Sequence, residues 1–552
     1  EPVEVAAPRG RWPMHEVAVL RREENGAHDP GHVADLGRLA VDPHDLLARP
    51  ETDRRRERRE RQREAAAMPA MQQISYRTPR YEVADHSALQ TIHDRSLQIL
   101  GELGIDFYDE EVRDILAAHG VKIVGETAYF SEETLMKYVA MAPVEFTQLA
   151  RNPANNVVIG GNRAVFAPVY GPPFVIDQDR GRREAKLEDF HNFVKLPYAT
   201  PYLHHSGGTI VEPTDEPVPT RHLDMLFAHI KYNDKAFMGS VMGSENAADS
   251  VTMAEMVFGQ EQIRQQPALL SLINVSSPRR YDERMLAAIK VYARARQALL
   301  ITPFLMAGAM SPVSVAGTLA LQNAEALAGI ALCQMISPGM PVVYGSFMTN
   351  IDLQSGAPVF GSPESQLALI VGRQMADFYQ LPFRSGGTFS SSKIADAQAG
   401  YESIQVMLPT VLSQVNFVLH AAGWLENGLV AGYEKFVIDC ELLGMYHVWA
   451  KGLSLTEEDF AFDALREVAP GGHFLGTQHT MRHFRTAFYR AELFDYNSAE
   501  QWELDGALDT AQRANRKWKQ LLATYQPPAL DPAIENDLLD FIKRRKRQLG
   551  FG

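Results

Sequence analysis

From Asp85 onward the apolar positions fall into clear periods. "DHSALQTIHDRSLQILGELG" places Leu89, Ile92, Leu97 and Leu100 on one helical face and stops at glycine, which predicts a helix ending near Gly104. "VKIVGETAYFSEETLMKYVAMAP" predicts a short strand, a cap at Ser131 and an amphipathic helix stopped by Pro143. From Val165 to about Trp449, short continuous apolar runs alternate with helical segments, the pattern of βα units on a parallel sheet. Eight such runs occur: "VFAP" at 165, "YLHHSGGT" at 202, "AFMGS" at 236, "ALLSLINV" at 268, "LLITPFLMAG" at 299, "PVVYGSF" at 341, "FRSGGTF" at 383 and "NFVLHAAG" at 416. Eight units predict an α/β fold of the (β/α)8 TIM-barrel type. A doubly wound open sheet would carry a glycine-rich phosphate fingerprint after its first strand, and "GPPF" and "SGGT" do not make one.

The expected organisation has four parts. Residues 1–75 form a charged tail with no apolar period, containing "RRRERRERQRE" from Arg54 to Glu64, and Met68 or Met71 is a candidate start. Residues 76–164 form a small α/β region, 165–454 the catalytic barrel, and 455–552 a helical extension that packs on the barrel or on a partner subunit. The longest apolar stretch, near Leu299 to Ala309, contains a proline and is too short to span a membrane, so the expected location is cytoplasmic.

Composition narrows the partners. Asp and Glu outnumber Lys and Arg, 68 to 54, for a formal charge of -14, which argues against nucleic acid or an anionic membrane as partner. Two cysteines, Cys333 and Cys440, sit in apolar helical patterns and support neither a disulfide framework nor a thiolate metal site.

In barrels of this type function gathers where strands end. Those ends carry Tyr170, Phe174, His205, Asn274, Phe347, Thr349, Asn350, Arg384 and Phe389, with His204, His420 and Trp424 beside them. The set is aromatic and mostly neutral. The first strand ends without the His-x-His that a barrel metallohydrolase uses, and "HH" at 204 and 205 turns only one ring to each face, so no metal site is expected. The acids of "VEPTDEPVPT" lie in a proline-bounded loop and read as turn and capping residues. An aromatic pocket without acid or nucleophile suits a quaternary ammonium ion, held over ring faces and already carrying its leaving group. Nucleophilic removal of one methyl then releases a neutral tertiary amine and needs no general acid.

The blocks "ARNPANNVVIGG", "VFAPVYGPPFVID", "RHLDML", "NAEALAGIALCQMISPGMPVVYGS", "GSPESQLALIVGRQMADFYQLPFRSGG" and "SKIADAQAGYES", in this order, resemble the trimethylamine methyltransferase (MttB-like) superfamily over roughly residues 85 to 540. The resemblance implies a (β/α)8 barrel that moves a methyl group from a methylated amine to the Co(I) of a corrinoid on a separate protein. The family's trimethylamine enzymes carry pyrrolysine close to the place where this chain reads "FMTNIDLQSG", with Asn350 the nearest match. Members lacking pyrrolysine are associated with quaternary amines, glycine betaine above all. No Asp-x-His-x-x-Gly corrinoid loop occurs here, so the corrinoid is expected on a docking partner, with none bound tightly by this chain and free cob(I)alamin as substitute.

Three readings stay open at this point: methyl transfer from glycine betaine, the same chemistry on proline betaine, carnitine or a sulfonium, and a quaternary-amine binding protein without turnover. Tyr170, Phe174, Phe347 and Phe389 are expected around the trimethylammonium group. His205 and His222 are favoured slightly over Arg384 for the carboxylate, because a fixed guanidinium also repels the ammonium end. Asn274 lines the substrate site. Thr349 and Asn350 orient the methyl in pyrrolysine's place, and Asn350→Ala is expected to slow turnover by about tenfold to a hundredfold. A homo-oligomer is expected.

Overall fold

The computed structural model describes residues 73–551, a mixed α/β fold. Nearly all of the charged tail therefore lies outside the described residues. At its boundary, Ile74–Ser75 form a short strand antiparallel to Ala164 and Arg163, so the ordered fold begins just before residue 76.

The centre is a curled parallel sheet. Its strands are β1 (Arg163–Phe166), β2 (Phe237–Met238), β3 (Leu269–Val275), β4 (Ala298–Ala307), β5 (Val342–Gly345), β6 (Phe347–Ile351), β7 (Phe383–Arg384) and β8 (Phe417–Val418). Hydrogen bonds join them in the order β1-β8-β7-β5-β4-β3-β2, all parallel. Seven of the eight predicted runs thus supply strands. The run at 202 supplies only a bridge between His205 and Ala236. That segment still spans the two sheet edges: the amides of His204 and His205 donate to Phe166 O (3.0 and 3.2 Å), Ser206 N to Ala236 O (2.8 Å) and Met238 N to Gly207 O (2.8 Å).

The run "PVVYGSF" breaks at Ser346, whose amide turns to Arg384 O (2.9 Å). Beyond the break β6 resumes on the far half of the long β4, with Phe304 opposite Phe347 and Ala307 opposite Asn350. This extension carries aromatic rings past the end of the neighbouring strands.

Alternate side chains fill the concave face. Val165, Ala167, Met238, Leu270, Leu272, Leu300, Val343 and Phe417 form one dry cluster there. A hairpin of Glu145–Gln148 and Val157–Gly160 closes the end where the strands begin, and the Gln148 amide donates to Phe237 O and Ala268 O (2.9 and 3.1 Å). The larger core lies between the sheet and its surrounding helices.

One helix corrects the expectation about apolar stretches. Val315–Ile336 is long and apolar enough to cross a membrane by length and composition, but its most apolar window is 94% buried inside the fold. It packs on β4 and β5 and is wrapped by the helices His86–Gln98 and Glu132–Val139, so it is apolar on every side because every side touches protein. In the extension, Thr510–Ala523 packs on the helix Tyr433–Ala450, and Pro532–Gln548 packs on Arg221–Tyr232 and Ser244–Phe258.

Candidate active site

Strand register decides which side chains face inward. Val343 lies in the inner cluster, so Gly345 two residues later faces inward too, and its register partner Arg384 with it. By the same alternation Leu272 and Leu300 lead to the paired Asn274 and Thr302. Glycine at 345 is required by crowding, since a Cβ there would fall 2.0 Å from Thr302 Oγ1. Arg384 is 1% exposed, and its Nε and Nη1 have no hydrogen-bond partner. No acidic side chain pairs with it among the described residues. Burial pushes its pKa down to about 9.

Above this guanidinium sits a nest of rings. Arg384 Cζ lies 5.1 Å from the Phe347 centroid. Phe347 meets Phe304 and Phe389 at 5.0 Å, His420 at 5.7 Å, Phe360 at 5.9 Å and Trp424 at 6.0 Å. His420 and Trp424 meet edge to face at 4.6 Å. His420 Nδ1 accepts from Tyr170 N (3.2 Å), which leaves the proton on Nε2, and burial with the nearby Arg384 holds the ring neutral. The Trp424 indole N–H is buried without an acceptor.

Two loops hold these rings. Asp439 accepts from Thr388 Oγ1 and Gly423 N, both at 2.8 Å, and pairs with the buried Lys435. One carboxylate therefore ties the loop of Phe389 and the loop of Trp424 to the same helix. Phe347→Leu keeps most of the bulk but removes the ring face over Arg384. It is expected to raise KM for a quaternary ammonium substrate about two- to thirtyfold, from the ~0.5–2 kcal/mol of one cation–π contact, as read from initial rates.

Of the residues expected at the site, Phe347, Arg384 and Phe389 come together. Tyr170 reaches them only through its backbone N–H to His420, its ring lying against Gly208 and Met238 on the inner cluster, and Asn274 stands exposed at the inner rim. The others do not join them. Phe174 lies on the strand Phe174–Asp177 in a separate small cluster, and its face is covered by the Arg182 guanidinium at 3.8 Å. His205 does face inward, but toward the closed end, where Nε2 meets Gln148 Oε1 (3.2 Å) and the ring abuts Phe417. Its burial, with His229 nearby, pushes its pKa to about 3, so it offers a carboxylate no charge. His222 is on an outer helix, bound to Asp249 (2.9 Å), which Arg545 also contacts (2.9 Å).

Thr349 donates its hydroxyl to Val359 O, and Asn350 accepts through Oδ1 from Ser362, the cap of the helix Pro363–Phe378. Both side chains brace the β6 hairpin and the following helix. Sequence reasoning passed over Phe304 and Phe360 and gave His420 and Trp424 no role. The position of Phe304, two residues after Thr302 on the same strand, was the available signal for the first.

One group among the described residues has metal-ligand spacing, Glu458, His479 and His483 in the extension. There Arg482 donates to the same Glu458 oxygen that His483 approaches at 2.7 Å, so the carboxylate already serves an ion pair.

The chain matches the family described as trimethylamine methyltransferase (MTTB) over residues 52–550. It is 46% identical over 473 residues to a glycine betaine methyltransferase of Desulfitobacterium hafniense (strain Y51), covering 86% of this chain and 98% of that protein. It is 28% identical over 465 residues to a proline betaine:corrinoid methyltransferase of Eubacterium limosum, covering 82% and 95%. Among solved structures, the monomethylamine methyltransferase of Methanosarcina barkeri aligns with a TM-score of 0.46 at 10% identity, over 80% of this chain and 89% of that one. The chain is thus a methyltransferase and belongs to the trimethylamine methyltransferase (MTTB) family.

Proposed function

We propose that this chain takes a methyl group from glycine betaine and delivers it to the Co(I) of a corrinoid carried by a separate protein. The observation that carries the reading is Arg384, a buried cation without a counter-ion directly beneath a nest of rings. A buried charge lacking a partner costs several kcal/mol, and a bound carboxylate offsets that cost. The betaine zwitterion supplies that carboxylate and, one carbon away, a trimethylammonium group for the ring faces. Repulsion between guanidinium and ammonium is limited because the carboxylate lies between them. The relative 46% identical to this chain is named for the same substrate.

In this mechanism Arg384 and the Trp424 indole N–H hold the carboxylate, while Phe347, Phe389 and Trp424 fix the ammonium with one methyl directed out of the site. The corrinoid, when its carrier docks, supplies the nucleophilic cobalt. The C–N bond breaks with its electron pair kept on nitrogen, and dimethylglycine leaves as a neutral amine, so the step requires no general acid. Since the rings attract ground state and transition state alike, their contribution is orientation. Thr349 and Asn350 act through the hairpin that carries Phe347. Exposed Leu353, Ile394 and Leu429 lie on the loops after the strands and exposed Tyr401 on the first turns of the helix Ala397–Leu412, and such an apolar rim fits a docking carrier with a flat macrocycle. The bonds made by segment 204–207 between the sheet edges support a (β/α)8 barrel as the scaffold. A homo-oligomeric state is part of the proposal.

The test is dimethylglycine release, measured by mass spectrometry, from glycine betaine and chemically reduced cobalamin. Tight betaine binding without release would leave a binding protein in its place. Trimethylamine, which has no carboxylate and leaves as a poorer group, is expected to give no detectable product at concentrations where betaine saturates. A comparable rate would overturn the betaine reading.

A further inference from the structure

Residues 453–504 contrast with the rest of the chain. They leave the end of the helix Tyr433–Ala450 and return to Thr510–Ala523, and between lie only helices of four to six residues. Fourteen large apolar side chains in this arm are exposed, among them Leu453 (85%), Leu475 (76%), Phe488 (90%) and Tyr496 (72%). Four arm residues alone are buried: Ala464, Thr477, Ala491 and Leu493. Ordering each residue costs about 1–2 kcal/mol of backbone entropy, and this arm buries too little of its own surface to offset it. Its ties to the body are few and lie at its return: Tyr489 donates to the Glu441 carboxylate, and Glu492 N and Leu493 N donate to its other oxygen (2.9 and 3.1 Å).

We propose that a second copy of this chain covers the arm, making residues 453–504 the interface of a permanent homo-oligomer. Area favours it. Fourteen such side chains offer on the order of 1,000 Å² of apolar surface, against the ~800 Å² per partner that a stable interface buries. Charge favours it as well: the arm holds nine acidic and four basic residues, while the last helix of the same chain exposes Lys543, Arg544 and Arg547. Two copies therefore carry complementary patches, and a surface this apolar is of the permanent kind.

Position separates this surface from the carrier's. The arm starts at the end of the Tyr433–Ala450 helix where Ala450 O accepts from Arg77 N, beside the closed end of the sheet. The ring nest lies at the other end of that helix, where Asp439 holds Gly423. A carrier must leave after each turnover, so it does not serve as permanent cover. The inference names the surface for the homo-oligomer put forward above and stands apart from the choice of substrate, because mass and dimethylglycine release are read separately.

Sedimentation of the full chain at micromolar concentration is expected to give at least twice the monomer mass. Leu453→Glu with Phe488→Glu is expected to return it to the monomer with an unchanged far-ultraviolet circular dichroism spectrum, since neither side chain is packed within the chain. A monomeric wild type, or a variant that keeps the wild-type mass, overturns the proposal. Phe488→Cys gives a second reading, because Cys333 and Cys440 are buried. Its thiol is expected to react with a maleimide about tenfold more slowly in the assembled protein than on a Leu453→Glu, Leu475→Glu background that sediments as the monomer, and equal rates overturn the proposal.

Discussion

Replacing Arg384 by Gln is expected to lower kcat/KM for glycine betaine by on the order of a hundredfold or more, from the ~2–5 kcal/mol lost when one member of a buried charge pair is removed. Rates with choline, where a hydroxyl stands for the carboxylate, are expected to fall far less. The free protein gives the discriminating result. Arg384 has no counter-ion among the described residues, so its loss relieves a buried charge, and the melting temperature of the substrate-free variant is expected to hold or rise. A purely structural arginine would show the reverse, a lower melting temperature with substrate preference unchanged.

Asp439→Ala is expected to be the most destabilising single change near the site. It strands Lys435, 1% exposed, without its partner and frees the two loops that Asp439 joins. Breaking a buried pair from one side costs about 3–5 kcal/mol, which is measurable as a fall in the urea midpoint. Lys435→Met on the same background is expected to recover much of that stability, because the stranded ammonium is gone. It is not expected to recover activity, since Phe389 and Trp424 remain untied. Full recovery of both would mean that the carboxylate holds no loop in place.

The strands were legible because a sheet covered on both faces writes its strands as unbroken apolar runs, and those at 268, 299 and 341 became β3, β4 and β5. Segment 202 read equally well, yet it makes one bridge, since "HHSGG" lacks the branched side chains that hold a longer strand. The ring nest was half legible. Phe347 and Phe389 stand at strand ends in the sequence and Phe304 lies within a legible strand, whereas Phe360 enters on the return of the hairpin that follows the break at Ser346, which composition does not announce. The histidines misled because facing inward and lying near the opening are separate properties. His205 has the first without the second, and His222 has neither. Arg384 ranked lower in sequence because its decisive property, the want of any acid beside it, exists only once the chain is folded.

The hairpin that closes the far end of the sheet has a kinetic consequence. Gln148 and His205 lock that end and a buried apolar cluster fills the interior, so in the proposed reaction betaine, dimethylglycine and the methyl acceptor all use the opposite end as one door. With the carrier seated over it, nothing enters and nothing leaves. Binding then follows a compulsory order, amine before carrier, and release the opposite one. A carrier that arrives too early closes an unfilled site, which makes an excess of carrier an inhibitor of the enzyme it serves.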